Sequence, residues 1–155
     1  MTYQKILVAI DRSPSSVHVF EQALGLAQSE KANLVILHCL RFADQDSYSD
    51  LYGNDLSSFS QTMQDDMKRD IDDAQRWLST YRDRAIAVGV AADCNLALGH
   101  AGRRICRLAQ TWNADLIVTG RRGRQVLTEM LLGSTSNFVL HHAACSVLVV
   151  QGVEG

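Results

Sequence analysis

The 155-residue sequence carries almost no net charge, since 15 lysines and arginines against 17 aspartates and glutamates leave −2. That offers no basic excess to a nucleic-acid backbone or an anionic membrane, and neither is expected as a partner. No apolar run approaches the roughly 20 residues that a membrane span needs, so no membrane insertion is expected. The N-terminus, MTYQKILVAID, has one lysine, a short apolar run and no small-residue cleavage site after it. A secretory leader is therefore not expected, and the cytoplasm is. Cys39, Cys94, Cys106 and Cys145 form no CxxC pair and have no histidine nearby at zinc-ligand spacing. They read as buried or half-buried thiols in a reducing cytosol. Repeats, low-complexity tracts and linkers are also missing, and the length suits a single domain over 1–155.

What is present is a regular alternation. KILVAI (5–10), NLVILHCL (33–40), VGVAADCNLAL (88–98), DLIVTG (115–120) and CSVLVV (145–150) read as five strands. The first two are the continuous apolar runs of strands buried on both faces. A first helix should start at Ser13 as cap with Pro14 in its first turn, burying Val17, Phe20, Ala23, Leu24 and Ala27. A long second helix carries Phe59, Met63, Met67, Ile71, Ala74, Leu78, Tyr81 and Ala85 at steps of three and four, a core stripe. A third over 100–112 turns Ile105, Leu108, Ala109 and Trp112 inward, and STSNFVLHH forms another before the last strand. Residues 41–57 are polar and aperiodic, a surface loop. The alternation predicts an α/β domain with an open parallel five-stranded sheet and helices on both faces. A ligand then belongs beyond the carboxyl ends of the strands, where the strand order reverses.

One stretch, TGRRGRQVLTEMLLGSTSN (119–137), departs from this pattern by its three glycines and its hydroxyl run. It is not a dinucleotide fingerprint, because the turn after the first strand reads DRSPSS; nor is it a Walker loop, since no GxxxxGK exists. The Ser-Gly-Gly loop of pyrophosphatase-type ATP enzymes is missing too. The spacing is Gly120-x2-Gly123-x9-Gly133-Ser134. Gly120 and Gly123 bare the backbone at a strand end, and Gly133 precedes a helix start whose free N–H groups and dipole favour an anion. Ser134, Thr135 and Ser136 add hydroxyl donors, so two anion-friendly elements would grip a phosphate chain from both sides. The plainer reading is a glycine C-cap and a serine N-cap holding no ligand.

With that spacing, and with KILVAID, LVILHC, ADLIVTG and CSVLVV along its whole length, the sequence resembles the ATP-binding subgroup of the universal stress proteins. The resemblance implies a strand order 3-2-1-4-5, an adenine nucleotide alpha hydrolase-like, Rossmann-like fold. It places the backbone of Ala9 and Ile10 and the carboxylate of Asp11 at the adenosine, Asp11 at a ribose hydroxyl or a metal, unless it serves only to cap the first helix. It places the Cys39 backbone at adenine and Thr119 and Gly120 at the ribose. Arg122, Gly123, Gly133, Ser134, Thr135 and Ser136 fall at the phosphates. The implied ligand is ATP, AMP or ADP, with magnesium or manganese as companion ion. The implied protein is a homodimer joined through its C-terminal strand, with a regulatory protein partner of unknown identity. No catalytic base is evident beside the loop, where Asp11 and Glu129 are the carboxylates, so the expected function is regulatory nucleotide binding with slow hydrolysis at best. The alternatives are a true ATPase or nucleotidyl-transfer enzyme, and a dimeric protein-interaction module without nucleotide. His38, His100, His141 and His142 read as structural.

Overall fold

The computed structural model describes residues 2–41, 60–121 and 132–151. Its elements are β1 (Lys5–Ala9), α1 (Ser16–Glu30), β2 (Asn33–Leu40), α2 (Gln61–Ala87), β3 (Ala92–Leu98), α3 (Ala101–Trp112), β4 (Leu116–Gly120), α4 (Ser134–His142) and β5 (Ser146–Val150). All four strand pairings are parallel and the order is β3-β2-β1-β4-β5, as expected.

The central strand shows why its sequence is uninterrupted by polar residues. Successive side chains of a strand point to opposite faces, and in β1 both faces are core. Ile6 and Val8 join Phe20, Ala23, Leu78 and Tyr81 under α1 and α2, while Leu7 joins Leu37, Ile105, Ile117 and Val139 under α3 and α4. Ile6, Leu7 and Val8 are each fully buried. At the amino ends of the strands, the Asp115 carboxylate accepts from the backbone N–H groups of Gln4 (2.9 Å) and Lys5 (3.1 Å), and Lys5 Nζ donates to the Trp112 carbonyl at 3.2 Å. These bonds pin β1 to β4 at the edge opposite the expected site.

Several boundaries differ from expectation. Ser13 does not cap α1, which starts at Ser16 with Ser15 at the N-cap and no side-chain cap bond. Ser13 instead belongs to the turn before it. Val17 is 42% exposed and Val19 takes the inward place. Strand β3 begins at Ala92, because residues 88–90 finish α2: Val88 and Val90 both donate to the Ala85 carbonyl around Gly89, which has φ +87°. That positive φ is glycine's conformational niche. In the α2 stripe, Met67, Ala74, Leu78, Tyr81 and Ala85 are buried, but Met63 is 41% exposed and Phe59 lies outside the described residues. On α3, Ile105 and Ala109 are buried while Leu108 and Trp112 are half-buried. The polar stretch over 42–57 also falls outside the described residues.

Candidate functional site

Beyond the carboxyl ends of β1 and β4, where the strand order reverses, lies a cleft of about 560 Å³ counted to its open mouth. Of the residues expected there from sequence, Ala9, Ile10, Asp11 and Cys39 line one side, and Thr119, Gly120, Thr135 and Ser136 the other. Gly133 and Ser134, adjacent in the chain, do not line it, and Arg122 and Gly123 lie outside the described residues. Ser13, Ser15, Ser16, Ala101 and Ile105 also line it, and sequence reasoning missed them. The sequence signal of Ser13, Ser15, Ser16 and Ala101 is that each begins a helix, or precedes one, after a strand, and Ile105 lies one turn into α3 on the face expected to be core.

The turn after β1 is organised by Asp11. Its Oδ1 accepts from the Ser13 N–H (2.8 Å) and the Ser16 hydroxyl (2.9 Å), while its own N–H donates to Ser16 Oγ at 2.9 Å. Asp11 thus builds the entry to α1 from four residues before the N-cap. Only one carboxylate oxygen is used: Oδ2 has no hydrogen-bond partner among the described residues.

Cys39 sits where β2 outruns β1. In a parallel strand, residues alternate between the neighbours they bond. Leu40 accepts from Gly99 on the β3 side and Leu37 accepts from Ile10 on the β1 side (2.9 Å). Cys39 shares the parity of Leu37, so its N–H and C=O face past the end of β1 into the cleft, with no hydrogen-bond partner among the described residues. Its side chain packs toward α3, with Sγ 3.9 Å from the Ala101 carbonyl. Burial pushes the thiol pKa up to about 12, against the smaller opposing pull of the Arg104 and Arg41 charges. Since the thiolate is the reactive form, native Cys39 should resist iodoacetamide at pH 8 and react only after unfolding, as peptide mass mapping would show. The Cys39→Ser protein should keep its ligand affinity within about twofold, because only the backbone of this residue faces the cleft.

On the far wall, Thr119 is buried at the end of β4. The next link is a clamp on one carbonyl: Arg121 O accepts from the Gly133 N–H (2.7 Å) and from Ser136 Oγ (2.8 Å). This ties the end of β4 to the start of α4. It also occupies the Gly133 N–H and the buried Ser136 hydroxyl. The N–H groups of Ser134, Thr135 and Ser136, in the first turn of α4, have no acceptor among the described residues, as the start of a helix dictates. Helix α4 is held close to α3, since a Cβ on Gly102 would come 2.7 Å from the Phe138 ring. His100 caps α3, its Nδ1 accepting from the Arg103 N–H (3.2 Å), and the ring of His142 stacks on Phe138 with Nδ1 2.9 Å from the Phe138 carbonyl. Among the described residues no cluster of three or more His, Cys, Asp or Glu side chains could hold a metal, and no helix is long and apolar enough to cross a membrane.

A parallel sheet whose strand order reverses at a cleft edged by helix starts defines an open, doubly wound α/β domain. The universal stress protein family model matches residues 2–151, and the chain belongs to that family. It is 40% identical over 153 residues to the universal stress protein Sll1388 of Synechocystis sp., covering 97% of this chain and 99% of that one. Among solved structures it is similar to a universal stress protein in complex with cAMP (TM-score 0.65, 24% identity, 97% and 98% of the two chains). It is also similar to the Archaeoglobus fulgidus universal stress protein in complex with dAMP (TM-score 0.65, 20% identity, 96% and 98%).

Proposed function

We propose that residues 1–155 act as one cytosolic universal stress protein domain that binds an adenine nucleotide, ATP, ADP or AMP, in this cleft and serves a regulatory role as a homodimer. The observation that carries the reading is that the Cys39 N–H and C=O have no hydrogen-bond partner among the described residues. They offer one donor and one acceptor side by side, which match the N1 acceptor and N6 amino donor of adenine. Guanine presents the reverse polarity on that edge and would meet donor with donor. In this reading Asp11 Oδ2 takes a ribose hydroxyl or a metal, and the N–H groups of residues 134–136, which have no acceptor among the described residues, take phosphate oxygens. Relatives solved with cAMP and dAMP support the same ligand class.

Fast phosphoryl transfer needs a base and carboxylate-held metal at the γ-phosphate. Asp11 is the one carboxylate lining the cleft among the described residues, and it is committed to the α1 turn. Binding with slow turnover is therefore the better reading than an ATPase or a nucleotidyl transferase. One observation favours an empty interaction module: the Gly133 N–H and Ser136 hydroxyl are already satisfied by Arg121 O.

Mass spectrometry of small molecules extracted from the purified protein, followed by calorimetry with adenosine, ATP and GTP, tests the proposal. Adenine ligands should bind and GTP should not, and phosphate release with magnesium should stay near background. Asp11→Ala should weaken binding about tenfold, the scale of a charged hydrogen bond. An equal loss for adenosine and ATP assigns Asp11 to the ribose, a loss for ATP alone to a metal. Failure of wild-type protein to bind any adenine ligand would overturn the reading.

A further inference from the structure

The Cys39 N–H has no partner among the described residues, and the carbonyl that would be its natural partner is engaged by another group. Continuing the parallel ladder past Ile10 N–H···O=C Leu37 would give Cys39 N–H to the Ile10 carbonyl. That rung is not made. The Ile10 oxygen lies 3.0 Å from Nδ1 of His38, on the neighbouring residue of β2. A carbonyl oxygen can only accept, so Nδ1 carries the proton and donates. His38 is 5% exposed, and its ring is set by α2: Trp77 meets it edge-on with centroids 4.8 Å apart. The other face of this arrangement is also fixed, since the Arg12 guanidinium lies 4.5 Å from the Trp77 ring centroid and bonds Asp73 at 3.1 Å.

We propose that His38 is the positioning residue of the base site: by holding the Ile10 carbonyl aimed at its Nδ1 it turns that oxygen out of the ladder, stops the β1–β2 pairing one rung early and keeps the Cys39 N–H available to a ligand. Nothing in the sequence distinguishes this histidine from one buried merely to fill space. The geometry does, because its hydrogen bond goes to the acceptor that would otherwise quench the Cys39 donor. Without that bond the Ile10 carbonyl would lose its partner in a buried place, and the donor that the parallel ladder would bring to it is Cys39 N–H. Loss of the imidazole should therefore zip the sheet and close the base edge, which a space-filling residue would not do. The role rests on the adenine reading for its ligand but not for its geometry.

The test has two arms. In ligand-free wild-type protein, amide hydrogen exchange by NMR should show Cys39 exchanging at least tenfold faster than Leu37 and His38, whose N–H groups lie within the ladders. In His38→Leu, Cys39 should become as protected as they are and adenosine affinity should fall at least tenfold. His38→Asn, whose amide can donate from nearly the same position, should restore fast exchange and bring affinity back to within about threefold of wild type. Protection of Cys39 in ligand-free wild type would overturn the proposal, and that measurement needs no variant to fold. Equal losses in the leucine and asparagine variants would also overturn it, by showing that ring volume matters and the hydrogen bond does not. If wild-type protein bound no adenine ligand, the functional reading would fall, while the exchange arm would still decide the role of His38.

Discussion

Gly133→Val is expected to abolish ATP binding, raising Kd at least 100-fold or about 2.7 kcal/mol, while adenosine still binds. Gly133 has φ −64° and ψ 159°, an extended conformation that valine adopts without strain. The glycine is not needed for its torsions. Valine is a poor N-cap, but the cost to α4 is about 1 kcal/mol, too little to unfold the domain. What the substitution does change is space: a branched side chain would stand beside the N–H groups of residues 134–136, which have no acceptor among the described residues and where phosphate oxygens are expected. Ser134→Ala removes one hydroxyl and leaves those amides, so its loss should be smaller, about 1.5 kcal/mol. Gly123→Val carries the same expectation as Gly133→Val from the sequence spacing alone. Calorimetry with ATP and adenosine on the three variants would check this. ATP binding by both valine variants at wild-type affinity would reduce the glycine spacing to a turn and remove the phosphate site with it.

The sheet was legible in the sequence because strands buried on both faces leave an unmistakable trace: β2 runs from Asn33 to Leu40, as its apolar run predicts. Boundaries set by backbone geometry were not. The expected start of β3 at 88 fails because Val88 and Val90 serve the C-terminus of α2, and apolar character does not separate a buried helix cap from a strand. Val17 and Val19 are two apolar residues on neighbouring faces, and only the actual start of α1 at Ser16 decides which turns inward. At the site, the motif points to the end of the sheet where the cleft lies, and Asp11 builds the turn into α1 through one oxygen. His38 was read as structural. Its bond to Ile10 depends on where β1 stops relative to β2, a register that no single-strand pattern contains. Ser16 was likewise invisible, since its hydroxyl matters through the Asp11 contact.

Val149→Pro is expected to convert the proposed homodimer into a monomer. Strand β5 lies at the edge of the sheet, paired on one side with β4. Arg121 N–H donates to the Val150 carbonyl, so Val150 and the residues two and four before it bond inward. Val147 and Val149 then turn their N–H and C=O groups outward, and Leu148 is 37% exposed beside them. The strand SVLVV contains no proline, no charge and no bulge to blunt this edge, the features by which edges avoid pairing. A two-fold axis through it would pair β5 with its own copy, residue facing residue, and count every outward bond twice. Proline at 149 removes an outward donor and none of the inward ones, a placement that edge strands tolerate. The domain should keep its circular dichroism and its β4–β5 pairing, while the dimer dissociation constant rises at least 100-fold in light scattering. A wild-type protein that is monomeric at micromolar concentration would sink the idea. So would a Val149→Pro protein that stays dimeric, since the contact would then lie on another face.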